Sequence, residues 1–330
     1  MSLPTRRRTL LAAAAAAAAA FGGLRPARAD AQPFPVRPIT LVLPVAAGGP
    51  GDVIGRPLGG FLTAELGQPV VIDNRPGAGG TIGLDHAARA RPDGHTLVIV
   101  SNSTYAIAPH LYPMPYDNDA AFAPVALIAG APSFVCVAQG VPAATLPELV
   151  ALARREPNGL AFATAGIGFT SHLATELFMA MTGTAMLHVP YRGGAPAAQG
   201  LAAGEVQVNF MEAALARSLL PTGRIRALAV TSRERHPLLP AVPTVAESGV
   251  PGFASATYWA MLAPAGVPRA ILARVSDATL RWSRLPETRA LLTEAGFLPI
   301  GADAAAFARH KAEDTAKWGA IVRQRGIRIS

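Results

Sequence analysis

Residues 41–52, LVLPVAAGGPGD, are the first stretch of this sequence that could do chemistry. An apolar run is followed there by three glycines within four positions and then by an aspartate. A strand that runs through a glycine-rich turn into a helix presents free backbone N–H groups and the positive end of the helix dipole to an anion. The pattern predicts an anion site, for either the pyrophosphate of a dinucleotide or the carboxylate of a small acid. The candidate residues are Val45, Ala46, Ala47, Gly48, Gly49 and Asp52.

The dinucleotide alternative rests on Gly49-Pro50-Gly51, with Asp73 at the end of the next strand-like run. An acid at that distance binds a ribose hydroxyl in NAD-binding folds. The spacing here is G-x-G-x-x-x-G rather than G-x-G-x-x-G, and Pro50 removes an N–H from the turn. An exported NAD(P)-dependent oxidoreductase is therefore kept as the alternative hypothesis, and the preferred hypothesis needs no cofactor.

A second glycine-rich loop, AGIGFTSH (165–172), also follows a strand-like run and opens a helix. Its glycines allow a ligand to approach the backbone closely, and its hydroxyls are additional donors. The alternative is that Thr170 or Ser171 only caps the helix. Two such loops in opposite lobes could bind one anion from both sides. The candidate residues are Thr164, Gly166, Gly168, Phe169, Thr170, Ser171 and His172.

A third polar segment, SNSTYAI (101–107), follows another strand-like run. Open α/β sheets bind ligands at the carboxyl ends of their strands, so Asn102, Ser103 and Thr104 are candidate ligand contacts. A plain helix-capping role explains the same residues equally well.

No catalytic set or metal site is indicated. The sequence has no G-x-S-x-G turn and no P-loop lysine, and its histidines do not follow metal-site spacing. His172 follows Ser171 directly, and adjacent residues at a helix start point in different directions. Cys136 is the only cysteine and lies in an apolar run, which predicts a buried, inert thiol. These observations favour a protein that is not an enzyme.

The N-terminus has the three parts of an export signal. Arg6-Arg7 precedes a short apolar stretch, and Ala27-Arg28-Ala29 supplies a small-x-small cleavage pattern, so residues 1–29 are predicted to be removed before Asp30. The arginine pair resembles a twin-arginine signal, and the Sec route stays open. These 29 residues hold five arginines and no acid, which leaves 24 basic and 21 acidic residues, a net charge of +3. That balance argues against nucleic-acid binding, and no later stretch predicts a membrane span.

The elements that must position the loops alternate between strand-like and helix-like segments. The apolar spacing from Val53 to Leu66, for example, predicts a helix with Asp52 as its N-cap. The alternation predicts an α/β fold with mostly parallel sheets covered by helices. Chain crossings near residues 129–134 and 251–258 predict one lobe from 30–131 and 254–330 and another from 132–253.

Several motifs closely resemble those of the Bug family, the extracytoplasmic solute-binding receptors of tripartite tricarboxylate transporters. The resemblance covers essentially the whole chain after residue 30. Its motifs include HVPYRGG (188–194) and MLAPAGVP (261–268), and the highly specific ones are NRPGAGG (74–80) and VPTVAESG (242–249).

The resemblance implies a two-lobed periplasmic-binding-protein fold of the type II kind, located in the periplasm, with a cleft that closes on a small carboxylate-bearing solute. It implies that the two glycine-rich loops hold the carboxylate through backbone N–H groups, hydroxyls and water. Tyr191, Met211 and Glu212 match positions that line the cleft, and Met211-Glu212 replaces an Asp-Asn pair that is common in the family. Together with Ile167 and Phe169, which replace the more usual Asn and Thr of the second loop, this change makes the pocket more apolar and favours an aromatic or longer-chain monoacid over citrate. The implied partners are the membrane components of a transporter, or a sensor kinase.

Overall fold

The computed structural model describes residues 34–329, so the predicted export signal lies outside the described residues. Residues 34–36 contain no helix or strand, and every element belongs to the body that begins at Arg37. The described strands are β1 (Ile39–Leu43), β2 (Val70–Asn74), β3 (Thr96–Ser101), β4 (Phe122–Ala131), β5 (Ser133–Ala138), β6 (Ala161–Thr164), β7 (Leu187–Pro190), β8 (Val208–Glu212), β9 (Ile225–Val230), β10 (Thr257–Pro264) and β11 (Leu298–Asp303).

Helices cover the faces of the sheets. The described α-helices are α1 (Pro50–Leu66), α2 (Thr81–Ala88), α3 (Leu146–Arg155), α4 (Thr170–Thr182), α5 (Gly194–Ala203), α6 (Ala213–Leu219), α7 (Arg269–Arg284), α8 (Pro286–Glu294) and α9 (Ala304–Arg325). A π-helical turn, Ser103–Ile107, and three short 3₁₀ turns, Ala78–Gly80, Ala108–His110 and Leu220–Thr222, complete the described elements.

The strands form two sheets. The first has the order β11-β4-β10-β3-β1-β2, and the second has the order β7-β6-β8-β5-β9. The chain passes from the first sheet to the second between β4 and β5, and it returns between β9 and β10. Both ends of the described chain therefore contribute to the first sheet, and the middle of the chain forms the second.

The prediction of mostly parallel sheets is wrong, because both sheets are mixed. β1 runs parallel to β2 and β3, whereas β10 is antiparallel to β3 and β4, and β11 is antiparallel to β4. In the second sheet β6 is parallel to β7 and β8, but β5 is antiparallel to β8 and β9. β5 and β10 are the strands that follow the chain crossings, so each of them enters its sheet from the other one.

Each sheet has an apolar core, and α4 contributes to both. Leu173 packs with Val98 and Trp318 in the core on the first sheet. Phe178, five residues further along α4, packs against Phe210 in the core on the second sheet, with ring centroids 5.6 Å apart. This helix therefore ties the loop that precedes it to both sheets.

The lone cysteine fits the expectation of an inert thiol. Cys136 lies on β5, fully buried in the second core, and burial raises the pKa of its thiol to about 12. A thiol with that pKa holds almost no thiolate at neutral pH. Across residues 34–329, no helix has both the length and the apolar character needed to traverse a bilayer.

Candidate functional site

The first glycine-rich loop leaves the carboxyl end of β1 and leads directly into α1. The helix begins at Pro50 with Gly49 as its N-cap, so Asp52 lies inside the first turn and the prediction that Asp52 is the N-cap is wrong. Proline fits the first helical position because its missing N–H would have no helical partner there. Gly49 has no side chain to cap the helix. Within residues 34–329, the backbone N–H groups of Ala46, Ala47 and Gly49 donate to no protein acceptor, and Ala46 and Ala47 are exposed.

Asp52, in the first turn of α1, stabilises the conformation of this loop. Its carboxylate accepts a hydrogen bond from the backbone N–H of Gly48 at 2.5 Å and one from Asn74 Nδ2 at 3.1 Å. Arg56 Nη2 lies 3.2 Å from the same carboxylate. Burial raises the pKa of Asp52, but these hydrogen bonds outweigh burial, so the pKa lies below its ordinary value. The ionised carboxylate therefore stabilises the loop through these three contacts and does not itself bind an anionic ligand.

The NRPGAGG segment supports the same loop. Asn74 also donates to the carbonyl oxygen of Val45 at 3.2 Å. Gly80 has φ +92°, and a Cβ at this position would lie 2.5 Å from Thr104 Oγ1 and 3.2 Å from the Cβ of Pro44. Glycine is therefore required on both steric and conformational grounds. The segment brings Thr104 of the third predicted segment against the base of the first loop.

The second glycine-rich loop leaves the carboxyl end of β6 and leads into α4. Gly166 and Gly168 have φ +137° and +82°, and Phe169 is the N-cap without any side-chain cap. Helix α4 begins at Thr170, so neither predicted capping residue, Thr170 or Ser171, is the N-cap. The first-turn N–H groups of α4 are therefore not satisfied by a cap, which leaves a second helix N-terminus able to bind an anion.

Two stacked histidines brace the second loop. The rings of His172 and His188 lie 4.1 Å apart, with an interplanar angle of 11°. Thr164 Oγ1 lies 2.7 Å from His188 Nε2, and the N–H of Gly168 donates to His172 Nδ1 at 3.4 Å. Burial, with a contribution from nearby His172, lowers the pKa of His188 to about 4, so this ring is neutral at pH 7. His172 is buried and acts as a support of the loop.

The third predicted segment bridges the two loops. Asn102 is fully buried and donates to Ala256 O at 3.0 Å and to Asp314 Oδ2 at 2.7 Å. Its Oδ1 accepts a hydrogen bond from Thr170 Oγ1 at 3.2 Å, and Ser103 Oγ lies 2.8 Å from the same hydroxyl. Since the next residue, Thr104, packs at the base of the first loop, the two glycine-rich loops lie on either side of one polar segment.

The remaining predicted residues lie in different surroundings. Met211 is 2% exposed and belongs to the second core. Tyr191 directs its hydroxyl to Glu205 Oε2 at 3.0 Å, and only its backbone lies beside the second loop, through a hydrogen bond to Thr164 O. Glu212, by contrast, is exposed at the end of β8. The protein around it partly desolvates its carboxylate, which raises its pKa.

Three residues of the site were not predicted. Trp259 lies under the first loop, with its ring 3.2 Å from where a Cβ of Gly51 would be. Asp314 of α9 anchors Asn102, and Arg325 of the same helix pairs with Glu176 of α4 at 2.6 Å. Asp314 and Arg325 lie far along the chain from their partners, so no local sequence pattern indicates their roles. Trp259 lies two residues before the MLAPAGVP motif, which is the one sequence signal that could have indicated it.

Neither loop contains a lysine or an arginine. Three arginines near the loops by sequence are occupied or exposed: Arg56 pairs with Asp52 at 3.2 Å, Arg75 pairs with Asp73 at 2.6 Å, and Arg192 is exposed. No group of three or more metal-ligating side chains occurs in the described part of the chain. The arrangement can therefore bind a small anion through neutral donors. A two-sheet α/β fold with such loops on each sheet is that of a periplasmic binding protein.

Comparison with known proteins identifies the family. The sequence model of one protein family, described as tripartite tricarboxylate transporter family receptor, matches residues 54–327. BugT of Bordetella pertussis is 34% identical over 308 residues, which is 92% of this chain and 94% of BugT. Among solved structures, Rpa4515 of R. palustris with adipate has a TM-score of 0.80 at 34% identity, covering 90% of this chain and 100% of that one. MatC of Rhodopseudomonas palustris with bound malate has a TM-score of 0.75 at 33% identity, covering 88% and 100%.

The chain belongs to the tripartite tricarboxylate transporter receptor family, the Bug family, and is a solute-binding receptor. This confirms the predicted family, two-lobed fold and non-enzymatic class. The alternative of an NAD(P)-dependent oxidoreductase is wrong. Pro50 forms the first position of α1, and the loop around it belongs to a receptor rather than to a dinucleotide-binding enzyme.

Proposed function

We propose that this protein captures a small carboxylate-bearing solute between its two glycine-rich loops and delivers it to the membrane components of a tripartite tricarboxylate-type transporter. The observation that carries the proposal is the pair of helix N-termini without side-chain caps, at Gly49 and Phe169, one on each sheet. The relatives named above, solved with adipate and malate, support a carboxylate as the ligand class.

The carboxylate is held by backbone N–H groups and hydroxyls. Ala46, Ala47 and Gly49 present the donors of the first loop, and the first turn of α4 presents those of the second. Donors at helix N-termini stabilise an anion without a buried cation, and ordered water completes such sites. Ser103 and Thr104 form the floor between the loops. Gly166 and Gly168 let the solute approach the second loop closely.

The proposed lobes are residues 30–131 with 254–330, and residues 132–253. The division is supported by the strand order, because β1 to β4, β10 and β11 share one sheet and β5 to β9 share the other. A solute that contacts both loops favours the closed arrangement of the lobes by differential contact.

The proposal includes export. The Arg6-Arg7 pair, the apolar stretch and Ala27-x-Ala29 support a twin-arginine-like signal removed near Asp30, which would place the receptor in the periplasm. Intact-mass measurement of protein from a periplasmic extract tests this. Retention of residues 1–29 would contradict it.

The binding test is a thermal-shift screen of purified protein against unbranched, branched and aromatic carboxylic acids, followed by calorimetry on the hits. We expect at least one acid to bind, and its binding to reduce the radius of gyration in solution scattering. Because neutral donors hold the anion, the affinity should change by no more than about threefold between 0.1 and 1 M salt. Binding of nicotinamide nucleotides with no response to any acid would contradict the proposed function.

A further inference from the structure

Glu212 is an exposed carboxylate at the carboxyl end of β8, and it belongs to neither glycine-rich loop. It ends β8 and is the N-cap residue of α6, yet its side chain makes no capping hydrogen bond. Within residues 34–329 it has no salt-bridge or hydrogen-bond partner, and it is exposed. An acid without a partner at the ligand-binding edge of a sheet can act on the ligand itself.

The strand register places Glu212 beside the second loop. β6 and β8 run parallel, with Ala163 opposite Asn209. Three residues beyond that pair are Gly166, in the loop after β6, and Glu212, the last residue of β8. Both residues therefore lie at the same edge of the second sheet, next to the proposed carboxylate site.

The same residue also lies where the two sheets meet. On β5 its partner is Ser133, two residues after the end of β4 in the first sheet. A Cβ on Gly296, in the turn before β11, would lie 2.9 Å from the Cβ of Ala213, the neighbour of Glu212. Glu212 is thus accessible to water and at the same time close to protein from both sheets, as expected of a group in a recess between them.

The geometry points to Glu212 as the residue that selects solutes with a single carboxylate: we propose that it excludes acids whose far end carries a second negative charge. This inference rests on the proposed function. A carboxylate held at the loops would direct its remaining part toward Glu212, and two like charges at close range in a recess repel more strongly than in bulk water. An acid with a neutral or ammonium-bearing far end avoids this repulsion, whereas a dicarboxylate such as adipate does not.

The exclusion should weaken in acid. Desolvation by the protein around it is the one cause of the raised pKa of Glu212, so this carboxylate becomes neutral at a higher pH than an ordinary glutamate. The titratable or charged side chains of the neighbouring elements are His172 and Glu176 of α4, Arg217 of α6 and Glu294 at the end of α8. None of these four contributes to the pKa shift of Glu212. As the pH falls through the pKa of Glu212, a diacid should lose its disadvantage.

The test compares wild type, Glu212→Gln and the control Glu234→Gln, an exposed acid of the same half of the chain. The probes are unbranched monoacids from butanoate to decanoate, their α,ω-diacids, and the matching ω-amino acids, measured by calorimetry. At about pH 7.5 we expect wild type and Glu234→Gln to prefer the monoacid by at least tenfold over the diacid of equal length. For Glu212→Gln the ratio should fall to about threefold or less.

A second measurement at about pH 5 separates the titration of the protein from that of the ligand. Protonation of the diacid itself affects both proteins equally, so only wild type should gain additional diacid affinity relative to Glu212→Gln. Equal binding of mono- and diacids by wild type, or an unchanged preference in Glu212→Gln, would overturn the inference. If no carboxylic acid binds either protein, the proposed function has failed instead.

Discussion

The hydroxyl oxygens of Ser103 and Thr170 lie 2.8 Å apart, although 67 residues separate them in the chain. Ser103 follows β3 of the first sheet, and Thr170 opens the helix that follows β6 of the second. The buried Oδ1 of Asn102 accepts a further hydrogen bond from Thr170 at 3.2 Å. This contact joins the two halves of the candidate site, and a buried polar group that loses such a partner is costly.

Thr170→Val should therefore destabilise the protein. The isosteric methyl leaves the Ser103 hydroxyl and one acceptor site of Asn102 without their partner, and we expect the free energy of unfolding to fall by about 1–2 kcal/mol. Urea denaturation measures this value. The matched control is Thr222→Val, whose exposed hydroxyl donates to Leu219 O at 2.6 Å and whose loss should cost less than about 0.5 kcal/mol. Equal losses in the two variants would contradict the prediction.

Asp52→Asn should impair ligand binding. The amide has only one acceptor oxygen in place of the two that hold Gly48 and Asn74, so the first loop loses its shape. We expect at least about a tenfold loss of affinity for the cognate acid and about 1–2 kcal/mol less stability. Because the pKa of Asp52 is lowered in the folded protein, its stabilising effect is present above its unfolded-state pKa and is lost as the pH falls through the folded value.

The control for this variant is Asp85→Asn, which breaks another i,i+4 pair, with Arg89 at 3.0 Å on the outside of α2. An exposed pair of this kind contributes about 0.3–0.5 kcal/mol. Affinity should be unchanged in Asp85→Asn. A similar loss of affinity in both variants would show that Asp52 has no special part in shaping the loop.

Gly168→Ala tests the second loop. Gly168 has φ +82°, and a Cβ there would lie 2.8 Å from Leu111 Cδ1. Gly204, at the end of α5, has φ +79° with nothing within 4 Å of the same position. Both alanines carry the left-handed backbone cost of about 1 kcal/mol, but only the methyl of Gly168→Ala also meets a neighbouring side chain and stands in the binding loop. Calorimetry should show weaker binding for Gly168→Ala and wild-type affinity for Gly204→Ala. The reverse order, or equal affinities, would exclude this loop from the site.

His188 should make the protein less stable in mild acid. Burial, together with His172, holds its pKa near 4, below the value of about 6.5 for a free histidine. The unfolded chain therefore binds a proton first as the pH falls. The stability that His188 contributes is complete above about pH 6.5 and is lost progressively toward pH 4.

His188→Phe keeps the aromatic stack on Phe162 and removes the titrating group. Between about pH 7 and pH 5, its free energy of unfolding should fall by roughly 1–2 kcal/mol less than that of wild type. Thr164→Val is the control, since it removes the hydroxyl partner of His188 but keeps the ring, so its pH dependence should remain steep. Parallel pH curves for His188→Phe and wild type would contradict the assignment.

Local sequence was sufficient to predict the main strands and helices and the two glycine-rich loops. Apolar runs predicted the central strands because apolar side chains are buried in the core. The glycines at 166 and 168 predicted a loop because only glycine adopts those backbone angles without strain. The motifs around Asn74 and Thr244 were specific enough to predict the family and, with it, the two-lobed fold.

Strand pairing and the roles of the polar residues depend on packing between elements and became visible in the folded structure. Apolar periodicity reports whether a strand is buried and not which neighbour buries it, so the antiparallel placement of β10 was missed. Asp52 fitted a capping pattern, yet it holds Gly48 and Asn74, and Asn74 comes from another element. Thr170 fitted the same pattern and instead meets Ser103. Asn74 and Ser103 come from other elements of the fold, and packing decides which elements supply the hydrogen-bond partners of buried groups, which local sequence does not encode.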